Sequence, residues 1–525
     1  MNAPEIEVPA QAPTSFGSQL LYLALALLFV AGVAAFTWYE ARGLSLTMVV
    51  AAVFGAYMAM NIGANDVANN VGPAVGARAM TMLQAVIVAA IFEALGALVA
   101  GGDVVNTIKS GIINPAQIQD TTTFVWLMMA ALLAAALWLN LATWGGAPVS
   151  TTHSIVGAVL GAGIAAAGWD VANWSKMTQI AASWIVSPLF GGIVAAAILY
   201  AIKRFVVYQS DLMGAARRVV PMLLGLMAWA FVTYLLLKGL NQVMKVPFAL
   251  AIAAGAGAGG ATWAGMRRRY AARGHLLGSD REALNRLFTM PLMFAAALLS
   301  FAHGSNDVAN AIGPLAAIHD TLTTAHIGGT APVPIWIMVI GALGLSIGLA
   351  LYGPRLIHTV GSEITEIDPM RAYCIAMSAA VTVIIASQLG LPISTTHVAI
   401  GAVFGVGFLR EFLKVNYARI LLEISQHHAA QEAGHDEVEA FLARFELASI
   451  EEKGRMLKEL KQRSKTGATA ISKQERKELR KAYQKNVVKR SVVMRIIAAW
   501  IITVPASALM AAVIFYAIRG AMLPA

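Results

Sequence analysis

The sequence predicts an all-α polytopic membrane protein with two inverted-topology repeats and about 12–13 transmembrane or re-entrant helical segments. Hydrophobic residues make up 58% of the 525 residues and charged residues only 13%, whereas a soluble globular protein carries roughly 25% charged residues. About 13 apolar stretches are long enough, or nearly long enough, to cross a hydrocarbon core. Two sequence motifs also occur twice in the same order, which indicates a duplicated fold.

The distribution of basic residues predicts the orientation of the chain. The net charge of +10 does not indicate a nucleic-acid partner, because the basic residues concentrate in three loops, at 203–218, 267–286 and 410–495. Even numbers of apolar segments separate these loops, so all three lie on one side, which the positive-inside rule makes the cytoplasm. We therefore expect a multi-pass protein of a bacterial-type inner membrane, with its N-terminus cytoplasmic and its C-terminus periplasmic.

The order of apolar and polar stretches divides the chain into six predicted parts. They are an extra N-terminal transmembrane segment (1–44), transmembrane repeat 1 (45–210), connecting helices with a basic cytosolic loop (211–286), transmembrane repeat 2 (287–409), a cytosolic helical insertion (410–492) and a final transmembrane helix (493–525). The N-terminal segment lacks the preceding basic residues of a secretory signal, so we interpret it as a retained helix. The single cysteine excludes a disulfide within the chain.

The internal repeat is the strongest signal in the sequence. Residues 63–74 read GANDVANNVGPA and residues 304–315 read GSNDVANAIGPL, with eight of twelve positions identical. Residues 148–163 and 392–407 share ten of sixteen positions, including the string STTH. The motifs lie 84 residues apart in the first half and 87 in the second. An odd number of segments separates each motif from its copy, which predicts inversion of the second repeat.

The first motif combines acids and amides typical of a small-cation site. Asp66 and Asp307 each follow a long apolar run, where a charge costs about 2.5–3.5 kcal/mol and usually faces a cavity or a partner. Carboxylate and amide oxygens would form a hard oxygen cage, and the motif's glycines and prolines would break the helix and free carbonyls for coordination. The alternative is that these side chains only join helices. The candidate cation-binding residues are Asn65, Asp66, Asn69, Asn306, Asp307 and Asn310.

The second motif predicts an oxyanion site. Its Ser-Thr-Thr run follows a proline and opens an apolar segment, where a hydroxyl is a natural N-cap. A helix N-terminus presents free N–H groups and a positive dipole end, and hydroxyls add neutral donors suited to a tetrahedral anion. Ordinary capping without a ligand is the alternative. The candidate anion-binding residues are Ser150, Thr151, Thr152, Ser394, Thr395 and Thr396.

Other polar residues within apolar segments are candidates for coupling. Glu93 lies inside AIFEALGAL, where an acid is a candidate for function. The matching stretch of the second half carries no acid, so Glu93 cannot have the same role in both repeats. His153 and His397 close the two STTH motifs and could belong to a proton path or have a structural role. We expect Lys109 to reach the membrane interface with its charged end. No Walker-type phosphate loop occurs in the sequence, which favours an ion gradient over ATP as the energy source.

GANDVAN with a distant PVSTTH, both duplicated, resembles the inorganic phosphate transporter (PiT) family over residues 51–408. The resemblance implies a transporter and not an enzyme, without cofactors, that carries inorganic phosphate across the lipid bilayer with Na⁺ or H⁺. It implies Na⁺ at the Asp66 and Asp307 sites and phosphate at the Ser-Thr-Thr runs. Two complete NDVAN motifs are similar to the sodium-coupled branch. Sulfate as substrate, phosphate carried as a neutral metal complex as in some bacterial members, and an anion channel are the alternatives, and homodimer formation is open. The extra first segment and the late insertion depart from the family pattern.

Overall fold

The computed structural model describes residues 16–40, 46–118, 120–145, 149–209, 211–239, 245–273, 281–327, 332–363, 368–425, 456 and 490–522. Within these ranges the regular secondary structure is helical, apart from one isolated antiparallel bridge between Ile113 and Ala172. The prediction of an all-α chain is therefore confirmed.

The described residues form helices that we number in chain order. They are α1 Phe16–Glu40, α2 Leu46–Gly76, α3 Met82–Ala100, α4 Gly102–Ser110, α5 Thr121–Trp144, α6 Thr151–Ala167, α7 Trp174–Ile202, α8 Leu212–Lys238, α9 Phe248–Arg273, α10 Arg281–Asp307, α11 Ala309–Thr324, α12 Ile335–Glu363, α13 Pro369–Gln388, α14 Thr395–Ser425 and α15 Arg490–Met522.

The helices have the length and composition of membrane spans. In the described part of the chain, 11 helices are long and apolar enough to cross a membrane, and α6 is a shorter apolar helix. α10 and α11 count as one of these spans. Large apolar side chains such as Leu28 on α1 and Ile193 on α7 are exposed on the outer surface, as expected where lipid is the solvent. The polytopic membrane architecture is confirmed.

The two repeats pack closely against each other at the first glycine of each NDVAN motif. A Cβ on Gly63 of α2 would collide with the backbone carbonyl of Leu345 on α12. In the same way, a Cβ on Gly304 of α10 would collide with the carbonyl of Glu93 on α3. Each motif helix thus packs directly against the backbone of a helix from the other repeat, an approach that small residues permit.

The STTH helices use the same kind of contact. Gly161 of α6 lies against the backbone of Ala508 on α15, and Gly405 of α14 lies against Gly192 on α7. Corresponding helices of the two repeats therefore make corresponding contacts. This correspondence agrees with a duplicated fold, while the inversion of the second repeat stays a prediction.

The helix break expected at the first motif is absent from repeat 1, and in repeat 2 it is reduced to a single residue with helical dihedral angles. α2 continues from Leu46 to Gly76 with Pro73 inside it, so the predicted break in repeat 1 is wrong. In repeat 2 only Val308 separates α10 from α11, and its φ of −56° and ψ of −33° remain helical. A membrane helix tolerates proline because neighbouring groups satisfy the freed carbonyl, and this half of α2 is buried against its neighbours.

The predicted insertion at 410–492 lies mostly outside the described residues. Its start is helical, because α14 runs on to Ser425. The final helix begins at Arg490, close to the predicted boundary at 493. The first fifteen residues of the predicted N-terminal segment also lie outside the described part.

The glycine contacts predict a sharp difference between two classes of Gly→Ala variant. Gly63→Ala or Gly348→Ala should destabilise the protein by about 1–3 kcal/mol or more, because each added methyl meets backbone that must move. Gly257→Ala and Gly260→Ala are the controls, since nothing lies within 4 Å of a Cβ there. Melting temperatures in detergent measure the effect, and equal melting of both classes would contradict the packing described.

Candidate functional site

The four motifs converge on two buried aspartates. Asp66 and Asp307 are both 0% exposed. The Thr151 hydroxyl donates to Asp66 Oδ2 at 2.8 Å, and the Thr396 hydroxyl donates to Asp66 Oδ1 at 3.1 Å. The Thr395 hydroxyl donates to Asp307 Oδ2 at 2.7 Å. The predicted cation ligands and the predicted anion ligands are therefore in direct contact.

One amide of each first motif crosses to the other repeat. Asn69 Nδ2 donates to Thr396 Oγ1 at 2.9 Å. Asn310 Nδ2 donates to Thr152 Oγ1 at 3.1 Å and lies 3.4 Å from Thr151 Oγ1. These bonds join each NDVAN helix to the STTH helix of the opposite repeat.

The other amide of each motif forms a hydrogen bond with the helix that precedes STTH. Asn306 Nδ2 donates to Ser387 Oγ on α13 at 3.0 Å. Asn65 is best satisfied when its side-chain oxygen accepts from Thr143 on α5 at 3.0 Å and its nitrogen donates to Asp66 Oδ1 at 3.2 Å. Asn65 and Asn306 thus occupy corresponding places, where they fix the chain entering α6 and α14.

The two serines of STTH cap helices. Ser150 Oγ accepts from the backbone N–H of His153 at 3.1 Å, and Ser394 Oγ accepts from that of His397 at 3.2 Å. α6 and α14 accordingly begin at the next residue, as the N-cap pattern predicts. Their free N–H groups and positive dipole ends lie beside the two aspartates.

The two STTH histidines contact each other. Their ring centroids lie 4.3 Å apart in an edge-on contact between His153 and His397. Trp184 lies 3.8 Å from the His153 ring, and Trp500 lies 3.6 Å from the His397 ring. These contacts suit packing between the repeats, and a coupling role for either histidine stays a prediction.

His303 joins the centre and was missed by sequence reasoning. Its Nε2 lies 3.0 Å from Asp307 Oδ2 and 3.5 Å from Asp66 Oδ2, and its Nδ1 lies 3.1 Å from Glu93 Oε1. Asn70 Nδ2 donates to the same Glu93 oxygen at 2.7 Å. The structure therefore brings Glu93, a coupling candidate, to the centre through an imidazole.

A signal for His303 was present in the sequence. It stands four residues before Asp307 in FAHGSND, inside an apolar run, so both side chains lie on one helix face. The matching position of repeat 1 is Ile62, and the residue matching Glu93 by its glycine contact is Leu345. The aspartates and threonines of the centre therefore occur in both repeats, whereas the imidazole and the third carboxylate have no counterpart in the other repeat.

Three carboxylates share this fully buried region. In the described part of the chain, Asp66, Asp307 and Glu93 all have His303 as their ion-pair partner. Burying an ionised carboxylate is costly unless a cation or strong hydrogen bonds compensate it. The chemistry of the arrangement therefore suits a cation, and the neighbouring hydroxyls and helix N-termini suit an anion.

Comparison with known proteins identifies the family. The model of the phosphate transporter family matches residues 62–511. The chain belongs to the phosphate transporter family. Its members are transporters and not enzymes, and phosphate transport is the activity that the family assigns to this chain.

Relatives of this transporter cover most of its length. A protein of Helicobacter pylori that is provisionally named a phosphate permease is 50% identical over 506 residues, or 95% of each chain. A Pyrococcus abyssi protein with the same kind of name is 42% identical over 70% of this chain and 90% of its own. A solved structure described as the sodium-dependent phosphate transporter aligns with a TM-score of 0.73 and 28% identity, covering 91% of this chain and 100% of its own.

The transporter buries an ion pair where an interfacial lysine was expected. Lys109 Nζ on α4 lies 2.8 Å from Asp320 Oδ2 on α11, with side-chain exposures of 4% and 5%. The expectation that Lys109 reaches the membrane interface is therefore wrong. The carboxylate that compensates its charge lies in the other repeat, so local sequence could not reveal the pairing.

This ion pair predicts a non-additive effect on stability. Lys109→Met should destabilise the transporter by about 3–5 kcal/mol, because Asp320 stays buried without its partner. The double variant Lys109→Met/Asp320→Leu should recover most of that loss. Arg286→Met is the control, since it breaks an exposed pair with Glu282 and should cost less than about 1 kcal/mol. Additive losses in a double-mutant cycle of melting temperatures would contradict the pairing.

Proposed function

We propose that the chain imports inorganic phosphate by symport with Na⁺, with the binding site between the two repeats and alternating access to it. The observation that carries this proposal is the meeting of Asp66 and Asp307 with threonine hydroxyls of both STTH helices in one buried centre. The similarity to the sodium-dependent phosphate transporter supports Na⁺ as the coupling ion.

Charge balance links the cation to the anion. A phosphate anion gains little by entering beside two ionised aspartates, because like charges in a low dielectric repel strongly. Sodium ions at Asp66 and Asp307 would neutralise the carboxylates and provide positive charge beside the anion. In this proposal the cation must be present for the anion to bind, which is the thermodynamic requirement for symport.

The threonines could carry this coupling directly. The hydroxyls of Thr151 and Thr395 donate hydrogen bonds to the carboxylates of Asp66 and Asp307, respectively. A sodium ion held by a carboxylate oxygen would compete for that oxygen, and the freed hydroxyl could then donate to a phosphate oxygen. The N-termini of α6 and α14 would add backbone N–H donors to the same anion. Neutral donors bind an oxyanion without the strong clamp of arginine, which favours release.

Alternating access agrees with the burial of the centre. The side chains of Asp66, Asp307 and His303 are fully buried, so substrate entry requires the helices around them to separate. The α6–α15 and α14–α7 pairs are closely packed through glycine and could each move as a unit. We propose a site at the repeat interface, with the N-terminus cytoplasmic and the C-terminus on the opposite side of an inner membrane. A homodimer is compatible with this arrangement.

A sulfate permease of the same fold and an anion channel are the alternatives. Sulfate carries no proton to donate at neutral pH, whereas phosphate does, and carboxylate acceptors such as those described here favour phosphate. Excess sulfate should therefore leave labelled phosphate uptake unchanged. A channel would pass phosphate without responding to an imposed Na⁺ or H⁺ gradient. Phosphate uptake into proteoliposomes, with each gradient applied separately, therefore distinguishes a channel from a symporter.

The aspartates predict loss of sodium-driven uptake. Asp66→Asn and Asp307→Asn should each abolish phosphate uptake into proteoliposomes driven by a Na⁺ gradient, because an amide keeps the shape but not the charge that holds a cation. Asp120→Asn is a matched control, since Asp120 is the exposed N-cap of α5 and accepts from the backbone N–H and the hydroxyl of Thr123. Normal uptake in both site variants would disprove the assignment of the cation sites.

The threonines predict an effect on phosphate affinity. Thr151→Val and Thr395→Val should raise the KM for phosphate by at least about tenfold, because a lost hydrogen bond to a charged group costs about 1.5–3 kcal/mol. Serine at either position should preserve uptake. Thr178→Val on α7 is the control, as its exposed hydroxyl donates to the carbonyl of Trp174 on the same helix. An unchanged KM in the valine variants would remove these hydroxyls from the phosphate site.

A further inference from the structure

The imidazole of His303 is an unusual neighbour for a sodium site. Hard alkali and alkaline-earth cations take oxygen ligands, whereas imidazole is a ligand for borderline metals such as Co²⁺, Ni²⁺ and Zn²⁺. His303 is 0% exposed and directs Nε2 at the two motif aspartates. The ligand chemistry of the centre is thus broader than sodium binding requires.

The spacing of the donor atoms fits a divalent ion. Ligands about 2.0–2.2 Å from a metal lie roughly 2.8–3.6 Å apart when they occupy neighbouring coordination positions. His303 Nε2 lies 3.0 Å from Asp307 Oδ2 and 3.5 Å from Asp66 Oδ2. The ligand atoms of all three residues lie within 4.8 Å of one another. The imidazole nitrogen and the two carboxylate oxygens are therefore close enough together to coordinate a single ion.

The side chains behind His303 have the arrangement of a metal-binding histidine. Such a histidine almost always directs its other ring nitrogen to a carboxylate or carbonyl, which fixes the tautomer and the ring orientation. Here Nδ1 lies 3.1 Å from Glu93 Oε1, and Asn70 donates to that same oxygen. Glu93 thereby orients the imidazole with Nε2 toward Asp66 and Asp307. Repeat 1 has Ile62 in the matching place, so its half of the fold cannot form a second such centre.

We propose that His303, Asp66 and Asp307 bind a divalent transition-metal ion, with Glu93 as the positioning residue for His303. The ion uses the carboxylates assigned to sodium, so the two cations exclude each other. That sodium is the competing ion rests on the proposed function, whereas the binding of the divalent ion does not. A divalent ion held this way blocks sodium-driven phosphate uptake.

Cobalt binding to the purified full-length protein tests the proposal. The untagged transporter in detergent is titrated with CoCl₂ in sodium-free choline buffer, and visible absorption of the Co²⁺ ion reports its coordination. His427, His428 and His435 are replaced by Gln in every protein compared, since they are other histidines able to take up cobalt. We expect one Co²⁺ per chain with a visible band, and a rise in the apparent Kd when Na⁺ is added.

Variants then assign the ligands. His303→Gln should raise the Kd for Co²⁺ at least about tenfold, and Glu93→Gln about 10–100-fold through loss of ring orientation. His319→Gln on α11 is the control, because the His319 ring packs on Trp336. If His303→Gln fails to elute as a folded protein in size-exclusion chromatography, Glu93→Gln and Asp307→Asn provide the same comparison.

Two results would overturn the proposal. The first is the absence of a visible band in the parent protein, and the second is unchanged binding in folded His303→Gln or, if that variant does not fold, in both Glu93→Gln and Asp307→Asn. Sodium-driven uptake without cobalt binding would reject this inference alone. Cobalt binding without sodium-driven uptake would reject the proposed function alone.

Discussion

The hydrogen bonds between threonine hydroxyls and buried aspartates are the interaction on which this molecule depends. Asp66 accepts one from Thr151 of its own repeat and one from Thr396 of the other. Because a buried carboxylate without partners is costly, these bonds bring α6 and α14 to the NDVAN helices. The same bonds place the groups suited to a cation beside the groups suited to an anion, which is the arrangement that coupled transport needs.

Backbone packing determines where those carboxylates lie. Gly63 and Gly304 stand three residues before Asp66 and Asp307, less than one helical turn away. Each glycine lets its helix approach the backbone of the opposite repeat. A larger residue there would push the helices apart and move both carboxylates away from the threonines. The matching glycine contacts of the two halves therefore link the helix packing to the position of the carboxylates.

The centre is less symmetric than its motifs. His303 has Ile62 as its counterpart, and Glu93 has Leu345. The imidazole lies 3.0 Å from an oxygen of Asp307 and 3.5 Å from one of Asp66, so the two carboxylates have different surroundings although their motifs are the same. Duplicated sequence therefore produced two cation-binding candidates that are not chemically equivalent.

The sequence by itself determined the membrane class, the duplication, the buried aspartates and the serine caps of α6 and α14, because hydropathy, repetition and capping are local properties of a chain. Tertiary structure decided which hydroxyl meets which acid, since Thr396 and Asp66 are 330 residues apart. It also placed His303 against Glu93 and Lys109 against Asp320. Such pairs form only when separate helices pack, so the sequence around one partner carries no sign of the other.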